Sequence, residues 1–190
     1  MPGTSADPAF ENLIELGENA DVTGWDFSWL RGRATEQRPP WGYARLLATR
    51  LGGTSAALDI QTGGGEVLRE ALEHAAEVPL VAAATEAWPP NVAAATRLLH
   101  AHGVVVVEAA QDARLPFADA SFDLVTSRHP ATVQWDETAR VLRPGGSYLA
   151  QHVGPASAFE LIEFFLGPQP EGRRKRHPED EAAAARAAGL

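Results

Sequence analysis

The stretch A56-A-L-D-I-Q-T-G-G-G-E-V-L-R-E-A-L72 decides the fold. A short apolar run ends on Asp59, passes through a glycine cluster and enters a helix whose apolar residues Val67, Leu68, Ala71 and Leu72 share one face. That is the strand-turn-helix entry of a nucleotide-type α/β fold. Gly63, Gly64 and Gly65 let the backbone approach a ligand where a Cβ would collide. Asp59, at the carboxyl end of the strand, turns its charge toward the same crevice. A glycine turn can also serve chain geometry alone, so the flanking segments have to decide between the two readings.

Working outward, P79-L-V-A-A-A-T-E86 reads as a second buried strand. It closes on Glu86, 21 residues after Gly65, the spacing at which an acidic side chain meets ribose hydroxyls in such folds. The run Val104–Val107 gives a third strand, expected to be covered on both faces because it is apolar throughout. Asp112 and Ala113 follow in a loop, and Phe122–Ser127 forms a fourth strand in which Asp123 is read as structural. The helix Trp135–Leu142 is stopped by Pro144, Gly145 and Gly146, which turn the chain into a fifth strand, Ser147–Val153.

The motifs LDIQTGGGE, ATE, QDARLPFADASFDLV and LRPGGSYL agree in order and spacing with the class I S-adenosylmethionine-dependent methyltransferases, and the chain from Arg45 to Gly154 resembles the type 11 group of that family. The resemblance implies a Rossmann-like, doubly wound, mainly parallel sheet in the order 3-2-1-4-5 with helices on both faces. It implies S-adenosylmethionine as cofactor, S-adenosylhomocysteine as product and a small-molecule methyl acceptor. Asp59 and the turn through Gly63 and Gly65 then face the methionine part, Glu86 the ribose hydroxyls, and Asp112 with the Ala113 amide the adenine edge. Ala87 and Ser127, at strand ends beside the same crevice, belong to the same cofactor-binding set. One position departs: the family pattern is acidic-x-Gly-x-Gly-x-Gly, and Gln61 stands at the first glycine. Its side chain either points at the cofactor or swings away from it.

In open α/β sheets the crevice lies beyond the carboxyl ends of the strands, where strand order reverses. Arg128 and His129, just after the fourth strand, therefore fall near the expected point of methyl transfer. Transfer from a sulfonium is an in-line displacement, in which a base is needed only for an un-ionised hydroxyl or an ammonium acceptor. His129 is the first candidate base and His152, at the end of the fifth strand, the second. Arg128 suits an acidic acceptor or a neighbouring carboxylate. His100 and His102 lie two apart at a helix end and make a poor metal pair, so no metal site is expected.

The chain is read as one domain: residues 1–44 an amphipathic helix and aromatic arm, 45–154 the cofactor-binding core, and 155–190 a helical segment. The first helix, with Phe10, Leu13, Ile14 and Leu16 at near-helical spacing, is expected to pack across the core or to lid it. Trp25, Trp29 and Trp41 either staple the arm to the domain or wall an acceptor pocket. In the last segment, A156-S-A-F-E-L-I-E-F-F-L-G167 is expected to bury Phe159, Ile162 and Phe165, or Leu161 and Phe164, and the basic run Arg173–Arg176 to be a solvated face. The family's sixth and seventh strands are missing from the sequence order. That leaves an open edge on strand five, to be covered by the terminal helix or by a second copy of the chain.

The composition narrows the function classes. With 190 residues, 45% of them hydrophobic, a substantial core is available, and the formal charge of −9 argues against a general nucleic-acid surface. There is no cysteine, which excludes disulfides and thiolate chemistry and fits the cytoplasm. No apolar run approaches the roughly 18 residues of a membrane span, and the amino terminus lacks the pattern of a signal peptide. Besides methyl transfer, a degenerate methyltransferase fold is a second reading, either as a binding partner or as the catalyst of another reaction, motivated by Gln61 and the missing strands. A nicotinamide-dependent dehydrogenase is third, since Leu68 occupies the final glycine of that fingerprint.

Overall fold

A computed structural model describes residues 8–20, 31–32 and 40–190. The elements run α1 (Pro8–Glu18), α2 (Tyr43–Leu51), β1 (Ala56–Asp59), α3 (Glu66–His74), β2 (Val81–Glu86), α4 (Pro89–Leu99), a 3-10 turn at His100–His102, β3 (Val104–Glu108), β4 (Phe122–Arg128), α5 (Trp135–Val141), β5 (Leu142–Gln151), α6 (Phe159–Leu166), α7 (Pro170–Lys175) and α8 (Pro178–Ala187). All five strands pair in parallel in the order β3-β2-β1-β4-β5.

The central strand β1 is buried along its whole length, and its alternating side chains feed two cores. Ala57 joins Leu47, Leu51, Leu68, Leu72 and Leu99 on the face covered by α2, α3 and α4. Ala56, Leu58 and Ile60 join Leu115, Phe122, Val125 and Val141 on the other. A buried β1 between two covered faces puts the turn after it at the centre of the crevice, between the end of β2 and the end of β4.

Polar contacts fix the loops around this frame. Asp123 accepts the Ala56 amide at 2.9 Å and pairs with Arg143 at 2.8 Å, so it is structural, as expected. Arg140 on α5 donates to the carbonyls of Leu115 and Phe117 and pairs with Glu137 and Asp119, which holds the loop before β4 against the sheet. The proline-glycine stretch after α5 is not a separate turn. Phe122 pairs with Leu142 and Leu124 with Ser147, so Arg143–Gly146 loop out of β5 as a bulge.

Three expectations about burial are corrected. Val105 is 63% exposed, because β3 is an edge strand whose outer face carries no helix among the described residues. In α6 only Phe159 is buried, while Leu161, Phe164 and Phe165 face outward. The apolar face of α1 is likewise exposed at Phe10, Leu13, Ile14 and Leu16. Part of the basic run is not simply solvated: Arg173 pairs with Glu163 at 2.8 Å, and Arg173 and Arg176 both stack on the Phe159 ring. Trp25 and Trp29 lie outside the described residues, and Trp41 is exposed.

Tyr43 ties α2 to the two strands that follow the crevice. Its ring is buried, and its hydroxyl donates to the Ser127 carbonyl at 3.1 Å and the Leu149 carbonyl at 3.2 Å. Burial, with the nearby Asp59 charge, pushes this phenol above its ordinary range, so it stays a donor. Tyr43→Phe should cost about 1 kcal/mol in urea unfolding with an unchanged m-value, the net worth of one buried hydrogen bond. A neutral substitution would show that the hydroxyl does not anchor β4 and β5.

Candidate functional site

Two buried carboxylates organise the turn after β1. Glu86, at the end of β2, accepts the Gly63 amide on Oε2 at 2.8 Å, and the Ala87 and Trp88 amides on Oε1 at 2.9 and 3.0 Å. Three of about four lone-pair sites are thereby used, and one on Oε2 remains for a ligand hydroxyl. Asp59 accepts the Thr126 hydroxyl at 2.6 Å, and the Thr62 hydroxyl lies beside it without a well-formed hydrogen bond. Burial pushes the Asp59 carboxyl up to about 6; the two hydroxyls pull it down and the Glu86 charge pushes it further up.

The glycines earn their positions sterically. Gly63 and Gly65 have φ of 65° and 87°, in the left-handed region. A Cβ on Gly65 would come within 2.9 Å of Leu99 Cδ1, whereas one on Gly64 would meet only the movable end of the Glu66 side chain. Gln61 shares the left-handed conformation, with φ of 58°, but is not a glycine. Its side chain swings across the crevice: Nε2 donates to the Thr132 carbonyl at 2.6 Å and Oε1 accepts the Ala131 amide at 2.8 Å.

On one side of that bridge lies a cleft of about 480 Å³ lined by Ala87, Glu108, Ala110, Gln111, Asp112 and Thr132. It brings Ala87 and Asp112 together beside the end of β2. Ala113 is not part of its lining: its amide donates to the Ala110 carbonyl at 3.2 Å and its carbonyl accepts Gln134 Nε2 at 2.7 Å. Ser127 is buried and donates to the Ile60 carbonyl at 2.8 Å, so its hydroxyl stitches β4 to the turn after β1. Glu108 carried no motif in the sequence, and Gln111, which opens the QDARLPFADASFDLV motif, was given no role there; both emerge from the lining.

On the other side a cleft of about 750 Å³ is lined by His129, Ala131, Trp135, His152, Arg176 and Glu181, among others. His152 sits between two partners, with Glu181 Oε2 2.9 Å from Nδ1 and the Tyr148 hydroxyl 3.1 Å from Nε2. A carboxylate only accepts, so Nδ1 carries a proton, and in the neutral imidazole Nε2 then accepts from Tyr148. Trp135 packs on both rings, with centroids 5.7 Å from Tyr148 and 5.8 Å from His152. Burial first, then the charges of Glu181 and Asp59, push the Tyr148 phenol above its ordinary range. His129 has φ of 54°, and its amide donates to the Gln151 carbonyl at 2.7 Å. The structure thus brings His129 and His152 to one cleft and leaves Arg128 outside its lining, bonded through Nε to Gln151 Oε1 at 3.2 Å. Tyr148, Trp135 and Glu181 were not singled out in the sequence. Glu181 belongs to a charge-rich segment and reaches His152 only through the fold of α8.

Residues 58–150 match the methyltransferase domain family. A search of curated proteins finds no match. Among solved structures the chain is similar to the YcgJ protein from Bacillus subtilis, at 22% identity and a TM-score of 0.55, covering 77% of this chain and 65% of that one. It therefore spans about two thirds of that protein's length. It is also similar to a SAM-dependent methyltransferase from Aquifex aeolicus, at 16% identity and a TM-score of 0.54, covering 93% and 87% of the two chains. The cyclase SpnF matches at 20% identity and a TM-score of 0.59, covering 95% and 68%. At such identities the likeness is one of fold. Among the described residues no helix is long and apolar enough to cross a membrane.

The raised Asp59 carboxyl makes a signed prediction. A group protonated more readily in the folded than in the unfolded chain contributes stability below its unfolded pKa of about 4, and that contribution is lost as pH rises toward about 6. The full difference is of the order of 3 kcal/mol as an upper bound. Asp59→Asn should therefore gain stability relative to the parent chain as pH rises from 4 to 6.5, and keep the gain above that, in urea titrations across the range. A difference that stays flat or reverses would mean that Asp59 is not buried as a strained carboxylate.

Proposed function

The core of the chain, residues 58–150, belongs to the methyltransferase domain family, on the fold of the class I S-adenosylmethionine-dependent enzymes, and from that premise we propose that it transfers a methyl group from S-adenosylmethionine to a small-molecule acceptor. The observation that carries this reading is the pair of buried carboxylates, Asp59 and Glu86, at adjacent strand ends beside a left-handed glycine turn. Two like charges under a sheet crevice, with no cation among their described hydrogen-bond partners, favour a ligand that brings positive charge and hydroxyl donors.

The residues present fit that cofactor. The open lone pair on Glu86 suits a ribose hydroxyl, the cleft at Ala87 and Asp112 suits a flat base, and Asp59 balances a cationic methionine moiety. When bound, the cofactor supplies an electrophilic methyl. The chain has to desolvate and orient the acceptor and, for an un-ionised one, take its proton. Trp135 offers an aromatic wall for the acceptor, and His129 is the base closest to the loop that ends β4. His152 has both nitrogens occupied, so it acts with Glu181 and Tyr148 as a unit. Arg128 stands outside the cleft and suits the steering of an acidic acceptor. The edge of β5, which carries no further strand among the described residues, suits a second copy of the chain.

A second reading, a methyltransferase fold that performs another reaction or only binds, is favoured by the Gln61 side chain lying across the turn. The cyclase among the structural neighbours has the same fold, and fold does not fix function.

Calorimetric titration of the full chain with S-adenosylmethionine and S-adenosylhomocysteine separates the two. Methyl transfer requires micromolar binding that falls at least tenfold in Glu86→Ala. Affinity should also rise about tenfold between pH 5 and pH 7, as Asp59 ionises near 6. A folded chain that binds neither compound sinks the methyltransferase reading.

A further inference from the structure

The sequence departure at Gln61 has a structural counterpart. A residue with a side chain is held at φ of 58°, where glycine is favoured. Such an outlier persists only when its surroundings fix it: the Ile60 and Thr62 amides on either side donate to the Thr126 and Thr85 carbonyls, and the carboxamide is held at both ends. One end accepts from the Ala131 amide and the other donates to the Thr132 carbonyl. Ala131 lines the larger cleft and Thr132 the smaller, so both bonds fall on the wall that divides them.

The rest of that wall is anchored at both ends. His129 donates its amide to the Gln151 carbonyl at 2.7 Å, and Gln134 donates to the Ala113 carbonyl at 2.7 Å. Between them, the two bonds from Gln61 join the loop to the turn after β1. They lie near the surface, where water can replace them, so the contact can open without leaving a buried group unpaired.

We propose that Gln61 is a positioning residue, a latch that holds the loop 129–133 against the glycine turn and closes the junction between the two clefts until a ligand occupies the turn. The second half of this inference rests on the proposed methyl transfer, since a donor laid along Gln61–Gly65 and an acceptor beside His129 must meet across that wall. The first half rests on the contacts alone.

The test is amide hydrogen exchange by NMR on the full chain and on Gln61→Asn, Gln61→Glu and Gln61→Gly, each with and without S-adenosylhomocysteine. Asn tolerates the left-handed backbone but is one methylene short, and Glu keeps the length but loses the donor toward Thr132. Exchange at Ala131 should rise at least tenfold in Gln61→Asn and Gln61→Gly, with β1 and β4 amides unchanged. S-adenosylhomocysteine should produce the same rise in the parent chain and bind at least fivefold more tightly to Gln61→Gly. Unchanged exchange at Ala131 in the Asn and Gly variants would overturn the latch, and added loop protection on binding would overturn its release. If no form binds the compound, methyl transfer falls while the ligand-free comparison still decides whether the latch exists. A shift in melting temperature shared by all variants, without the exchange effect, would leave Gln61 a purely structural residue and also overturn the proposal.

Discussion

The grip of the Glu86 carboxylate on the Gly63 amide is the contact on which the crevice depends. It ties the end of β2 to the turn between β1 and α3, and the same carboxylate caps the amides that open toward α4. Because these amides are satisfied by a charge, the turn needs no side chains of its own, and glycines can fill it. Leu99 packs against the space that a Gly65 side chain would need, so the helix that follows β2 and the turn that follows β1 hold each other in place. Beside it a second carboxylate, Asp59, is buried with the Thr126 hydroxyl as its hydrogen-bond partner. An electrostatic imbalance of this kind is costly in an empty site and favourable in one that receives a cation.

The frame was legible wherever the information is local. The bounds of α3 and the end of β2 at Glu86 follow from apolar runs closing on acidic residues and glycines within a few positions, whereas the strand order came from the family resemblance. The places of Asp59, Glu86 and Ala87 at the ends of β1 and β2, and of Asp112 in the loop after β3, were legible for the same reason, since each lies inside its own motif. Periodicity shows that a helix has an apolar face but not what lies opposite it, which is why α6 was expected to bury Phe165 and instead exposes it. The valine run of β3 has the same defect: an edge position cannot be read from four identical residues. The proline and glycines after α5 end a helix whether they form a turn or a bulge, and only pairing with β4 tells the two apart.

The remainder of the site depends on contacts between distant segments and on which way a side chain points. Ser127 and Ala113 stand where expected in the chain, yet their polar groups serve the sheet and the neighbouring loop. His129 and Arg128 are consecutive, and the left-handed backbone at His129 separates their directions, so one lines the larger cleft and the other does not. Gln61 was visible as a departure from pattern, but the choice between pointing inward and swinging away needed the position of Ala131 and Thr132.

The larger cleft adds a mechanical argument. Its lining includes residues from the end of β5 and from α8, and the hydrogen bond between His152 and Glu181 crosses from one to the other. Both side chains are mostly buried, so the bond is partly shielded from water and depends on α8 staying docked. Any ligand that contacts both walls binds the docked arrangement in preference to an undocked one, and by linkage stabilises it. Docking of α8 also sets the proton of His152 on Nδ1 and the ring against Trp135, so the orientation of that imidazole is a property of the assembled C-terminal segment and not of β5 alone. The chemistry available in the cleft is therefore coupled to helix packing some 30 residues away in the chain, whereas the smaller cleft is lined by residues at and just after the ends of β2 and β3, with Thr132.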